Sequence, residues 1–93
     1  MNKEKLRYAM LKEIDKGNVP LSEQDFNVEE DIFDEAAWFL QREGYLIGVG
    51  KGDDRAWIEI DTKLTEKGER YLKENSTLAK GYKGLKEFKS WIK

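Results

Sequence analysis

The apolar residues change period several times along the chain, and each change predicts an element. Leu6, Met10 and Ile14 recur every four residues with Ala9 and Leu11 beside them, which predicts a helix over 3–16. Gly17, in Lys16-Gly17-Asn18, is placed to end it in the left-handed region. Val19-Pro20-Leu21 must then run extended, because proline biases the preceding residue away from helix, and a short edge strand fits there. Ser22 with Asp25 three residues later reads as a capped short helix through Phe26. Asn27 reads as the N-cap of a third helix, with Glu30 at the matching capping-box position. That helix runs to Glu43 and stops at Gly44. Ile32, Phe33, Ala36, Ala37, Phe39 and Leu40 fall on one face; Asp31, Asp34, Glu35, Trp38, Gln41 and Arg42 fall on the other.

The period then shortens to two. Tyr45 to Gly50 predicts a strand, Lys51-Gly52-Asp53-Asp54-Arg55 a tight turn, and Ala56 to Asp61 the return strand. In the return strand Ile58 and Ile60 alternate with Trp57, Glu59 and Asp61, as in a half-buried strand. Thr65 caps a fourth helix that ends at Asn75, with Leu64, Gly68, Tyr71 and Leu72 turned to the hairpin. Residues 77–93 carry Leu78, Tyr82, Leu85, Phe88 and Ile92 within one helical arc. Lys80, Lys83, Lys86 and Lys93 lie mostly outside that arc, and Lys89 intrudes on it. Gly81 and Gly84 each cost about 1 kcal/mol relative to alanine in a helix, so this tail needs a surface to dock on. The reading is α+β: a winged helix-turn-helix domain over residues 1–76, of three core helices and a β-hairpin wing, with an added basic amphipathic C-terminal helix over 77–93.

Charge changes the picture more than composition does. Lys and Arg outnumber Asp and Glu five to three in residues 1–21, trail one to eight in 22–43 and six to seven in 44–76, and lead five to one in 77–93. Fields act within about a Debye length of ~10 Å, so an acidic middle and a basic tail matter more than the net −2. The chain has no cysteine and no histidine, which removes disulfides, thiolate metal sites, the usual general base and the commonest metal ligand. No apolar run approaches the ~20 residues that span a bilayer, and no signal-peptide pattern follows the start. A cytoplasmic, reduced setting without a membrane role is expected.

The stretches R-E-G-Y-L and L-T-E-K-G-E-R-Y-L, flanking the hairpin, resemble those of small bacterial winged-helix regulators of the MarR and PadR groups. From K-L-R-Y-A-M-L-K-E-I through D-F-N-V-E-E-D-I-F-D-E-A-A-W-F-L-Q-R-E-G-Y-L-I-G-V the chain is more closely similar to the YjcQ-like family of bacteria and their prophages. That resemblance implies a winged-helix fold and a bacterial cytosolic setting. It implies no catalytic or ligand residue and no DNA sequence preference.

Four candidate chemistries follow. The third helix is the one that enters the major groove in this fold, but its outer face sets Asp31, Asp34 and Glu35 against Arg42 alone. Asp or Glu can accept from cytosine N4 and Gln41 can address adenine, given a cationic frame. The bland reading is a solvated acidic face. Trp38, at the centre of that face, has three readings: covered by the basic tail, a hot spot for a protein partner or a second copy, or simply exposed. If DNA is bound, Lys3, Lys5, Arg7, Lys51, Arg55, Lys80, Lys83 and Lys86 are the expected phosphate contacts. The tail otherwise reads as a packed helix with solvated lysines, or as a dimer seam. The carboxylates of residues 29–35 point in different directions and lack a calcium loop, and Gly48-Val49-Gly50-Lys51-Gly52 does not open a helix, so it is no phosphate loop. No cofactor, metal, small-molecule ligand or enzymatic activity is expected.

Overall fold

The structure, a computed structural model, describes residues 2–92. Lys93, counted above among the tail cations, lies outside the described residues. The architecture is α+β. Helix α1 (Lys3–Asp15) is capped by Asn2, whose side chain accepts from the Lys5 amide at 3.0 Å. Gly17 ends it at φ +84, as the sequence predicts. Leu6, Ala9, Met10, Leu11 and Ile14 are buried, but so are Tyr8 and Glu13. The reason is that α1 is packed on several sides, by the third and fourth helices and by the tail.

Leu21 bridges antiparallel to Ile58, so the extended segment after α1 joins the sheet. Helix α2 (Glu23–Phe26) is capped by Asp25 accepting from the Ser22 amide at 2.8 Å. Asn27 does not cap helix α3 (Glu30–Arg42). It ends α2 at φ 54, and Glu29 is the N-cap of α3 without a side-chain bond. Two helices that nearly abut need a left-handed residue between them, and asparagine tolerates that conformation.

The hairpin is two short ladders. Strand β1 (Leu46–Ile47) pairs with β4 (Lys63–Leu64), and β2 (Gly50–Gly52) pairs with β3 (Arg55–Trp57), both antiparallel. The predicted first strand breaks at Gly48, at φ +80, where a Cβ would stand 2.9 Å from the Asp61 carbonyl oxygen. Asp53 and Asp54 make the turn with φ 54 and 59, the pattern of a two-residue type I′ hairpin. The expected alternation fails after Ile58. Thr62 is buried, donates to the Gly48 carbonyl at 2.9 Å and accepts from the Glu59 amide at 2.9 Å, closing a turn over Glu59–Thr62. Ile60 rides on that turn and is 75% exposed, not buried.

Helix α4 (Glu66–Glu74) starts at Thr65, whose hydroxyl accepts from the Gly68 amide at 3.1 Å and donates to the Gly44 carbonyl at 2.5 Å. A Cβ on Gly68 would lie 2.3 Å from the Tyr45 carbonyl oxygen, so only glycine lets α4 lie this close to the chain entering β1.

The tail is not one helix. Helix α5 (Ser76–Gly81) gives way to an extended Tyr82, Gly84 takes φ +109, and a 3-10 turn (Leu85–Glu87) leads into α6 (Phe88–Trp91). The break folds Trp91 back over Gly81, where a Cβ would meet the indole Nε1 at 2.6 Å. Nor does the tail cover the acidic face of α3. It lies on α1 and α2, with the Tyr8 ring 6.2 Å from Tyr82 and 6.1 Å from Trp91, and Phe26 5.2 Å from Phe88.

Candidate functional site

The outer flank of α3 is much less free than its sequence implies. Arg55, expected at a phosphate, turns inward from β3 and meets three carboxylates. Its Nε donates to Asp34 at 2.7 Å, Nη2 to Glu23 at 2.6 Å, and Nη1 stands 3.0 Å from Glu30. Asp34 is therefore buried at 8% exposure and is not part of an outward face. The hydrogen bonds to Asp34 and then Glu23 hold Arg55 more firmly protonated than usual. Glu23 ionises below the ordinary carboxylate range, first through a backbone amide at its own helix start and then through Arg55. One cation cannot neutralise three acids, so this knot stays net negative.

Other predicted contacts are also engaged within the chain. Lys3 pairs with Glu35 at 2.9 Å, which lowers the Glu35 pKa. Lys5 donates to the Trp91 carbonyl at 2.7 Å, and its ammonium lies 5.2 Å from the Trp91 ring centroid, clamping the tail. Arg7 stacks 3.5 Å above the Phe39 ring. The Gln41 carbonyl accepts from the Val49 amide at 2.8 Å, tying α3 to the loop between β1 and β2 and leaving that oxygen unavailable to a base edge. Asp31 accepts from the Ile32 amide at 3.0 Å in its own first turn.

Trp38, Arg42 and Lys51 remain. With Asp54 they line an open cleft of about 380 Å³ between α3 and the β2–β3 turn. Trp38 is half-buried, whereas Arg42, Lys51 and Asp54 are exposed. Two cations against one acid flank the indole. Lys80, Lys83 and Lys86 are exposed on the tail, which is seated on α1 and α2, so they do not join this cleft. The nominal phosphate set is thus dispersed over several faces.

The family described as "YjcQ protein" matches the chain over residues 3–91. The chain belongs to that family. It is 62% identical to the uncharacterised protein YjcQ of Bacillus subtilis (strain 168) over 94 residues, covering 100% of both chains. The solution NMR structure of the YjcQ protein from Bacillus subtilis superposes with a TM-score of 0.70 at 62% identity, covering 77% of this chain and 94% of that one. No described helix is long and apolar enough to cross a membrane.

Sequence reasoning missed Glu13. Its carboxylate is buried, accepts from Asn18 Nδ2 at 2.6 Å and from the Tyr82 hydroxyl, and lies 3.6 Å from Lys16 Nζ. It sits one residue before Ile14 in the helical pattern and reads as solvated until the tail is laid on it. No local signal marks it, because its phenol partner Tyr82 lies 69 residues away in the chain.

Proposed function

We propose that this chain is a nucleic-acid-binding module of the bacterial cytoplasm, arranged as a winged helix-turn-helix, that binds without catalysis. The order of three helices, hairpin and fourth helix supports the winged-helix reading, with β2–β3 as the wing and α3 in the recognition position. The observation that carries the nucleic-acid reading is the cleft in which Trp38 lies with Arg42 and Lys51 beside it. An indole face stacks on any base, worth about 1–3 kcal/mol, and flanking cations hold phosphates. The acids that argued against this face are partly withdrawn from it, Asp34 by Arg55 and Glu35 by Lys3. Contact therefore falls at the C-terminal end of α3 and the wing, away from the net-negative knot at Glu23, Glu30 and Asp34.

Retardation of short duplex and single-stranded DNA at low salt tests this. Binding should weaken with salt, and Arg42→Ala and Lys51→Ala should each reduce the log–log salt slope by about 0.9 on duplex. Tail variants at Lys80, Lys83 and Lys86 should leave it unchanged. No retardation of either DNA at low salt would remove the reading.

A second reading is a protein-interaction module, binding another protein or a second copy through Trp38. It is favoured by the apolar residues left in solvent around the hairpin, Ile47 at 57%, Trp57 at 39% and Ile60 at 75% exposure. Under that reading Trp38→Ala weakens association without unfolding the domain, and sedimentation or pull-down with an identified partner reports it.

A further inference from the structure

A second cavity, of about 190 Å³, is lined by Glu4, Arg7, Phe39, Leu40, Tyr45 and Tyr71. It lies where the first turns of α1 meet the end of α3, the entry to β1 and α4. Arg7 spreads its guanidinium over Phe39, and its Nε is buried without a hydrogen-bond partner. No carboxylate of a described residue pairs directly with Arg7, and Glu35 acts on it only at longer range. Glu4, one turn earlier on the same helix, is exposed and likewise has no ion-pair partner among the described residues. Opposite charges three residues apart on a helix ordinarily close on each other. Here they make no ion pair, and both line an aromatic-walled space. Tyr45 and Tyr71 also line it, with ring centroids 5.0 Å apart. Tyr71 feels both charges: burial raises its pKa first, Glu4 adds to that, and Arg7 opposes it.

We infer that this cavity binds a free α-amino acid with an apolar side chain, its carboxylate on Arg7, its ammonium on Glu4 and its side chain against Phe39 and the tyrosine pair. The Arg7 Nε is closed off beneath Phe39, so a carboxylate in the cavity meets the guanidinium at its two terminal nitrogens, through two parallel hydrogen bonds. A simple anion would leave Glu4 facing it, whereas a zwitterion satisfies both groups at once. The aromatic walls exclude a polar side chain on the ligand, because its groups would be desolvated without partners. This inference stands independently of the nucleic-acid reading.

The test is a titration of the full chain with L-leucine, following the Arg7 side-chain Nε–H and the Tyr45 and Tyr71 resonances by NMR. Acetate and butylamine serve as single-charge probes. Saturable binding in the millimolar range is expected, with acetate and butylamine each at least about tenfold weaker. Arg7→Gln and Glu4→Gln should each weaken leucine about tenfold or more. Glu4 is exposed, so its variant keeps the fold even if the Arg7 variant does not. The inference is overturned if leucine moves none of these resonances, if acetate binds as well as leucine, or if Glu4→Gln binds leucine unchanged.

Discussion

Arg55 brings one positive charge to three carboxylates drawn from two helices, and so fixes the hairpin on α2 and α3. Removing it leaves the nearly buried Asp34 uncompensated, with one oxygen already lacking a partner. Arg55→Met should lower the melting temperature and speed amide exchange in β2 and β3 before it touches α1. Protection of the hairpin equal to that of the parent would show that the knot does not hold it in place. Carboxylates also set the acid limit. Glu23 and Glu35 have folded pKa values below the ordinary carboxylate value of about 4.3, so their stabilisation is complete above that pH and is lost as pH falls through the lowered values. Glu35→Gln should flatten the acid side of a plot of denaturation midpoint against pH. The alkaline side has the opposite sign. Burial raises the Tyr8, Tyr71 and Tyr82 phenols, and the hydrogen bond to Glu13 raises Tyr82 further. Their contribution is complete below the ordinary phenol value of about 10 and is lost as pH rises above it. Tyr82→Phe should make that loss shallower. None of these partnerships was legible in the sequence. The helical pattern places Asp34 outward, and Arg55 reads as the last residue of an exposed turn, whereas it opens β3 and reaches back to α2.

At the scale of elements, much was legible because local rules decide it. Ser22 with Asp25, Thr65 with Gly68, and glycine at 17 and 44 are capping chemistry acting within a few residues. The failures lie where a distant element overrides the local rule. Gly81 reads as a helix-weakening residue, but its hydrogen is the space that Trp91 needs. The two readings predict opposite signs for Gly81→Ala. Helix propensity alone gives a gain of about 1 kcal/mol, whereas the clash with Trp91 should loosen the tail, with a loss of about 1–3 kcal/mol and exposed-type Trp91 emission. Chemical denaturation with fluorescence detection separates them. Gly68→Ala is the companion case, where the backbone carbonyl of Tyr45 cannot yield as a side chain can. Destabilisation at the upper end of that ~1–3 kcal/mol range is expected, and a neutral result would mean that α4 does not pack as described.

For the whole molecule, the sign of each surface decides what it can meet. The sequence carries an acidic middle and a basic tail, and the tail lying over the acidic face is one of the arrangements this pattern allows. Aromatic contacts prevail over that long-range attraction: Tyr82, Phe88 and Trp91 pack on Tyr8 and Phe26, and Lys5 clamps the end of the tail. The acids are met instead by Arg55 and Lys3, from positions distant in sequence. What remains open is the Trp38 cleft with Arg42 and Lys51. Its lining residues come from α3 and the β2–β3 hairpin, so its composition could not be read from either segment alone. The most direct measurement is an indole and amide NMR titration with short DNA at low salt, repeated at moderate salt. The Trp38 indole and the Arg42 and Lys51 amides should move together, the Trp91 indole and the tail should stay fixed, and salt should reverse the shifts. An unmoved Trp38 indole, or shifts confined to the tail lysines, would contradict it.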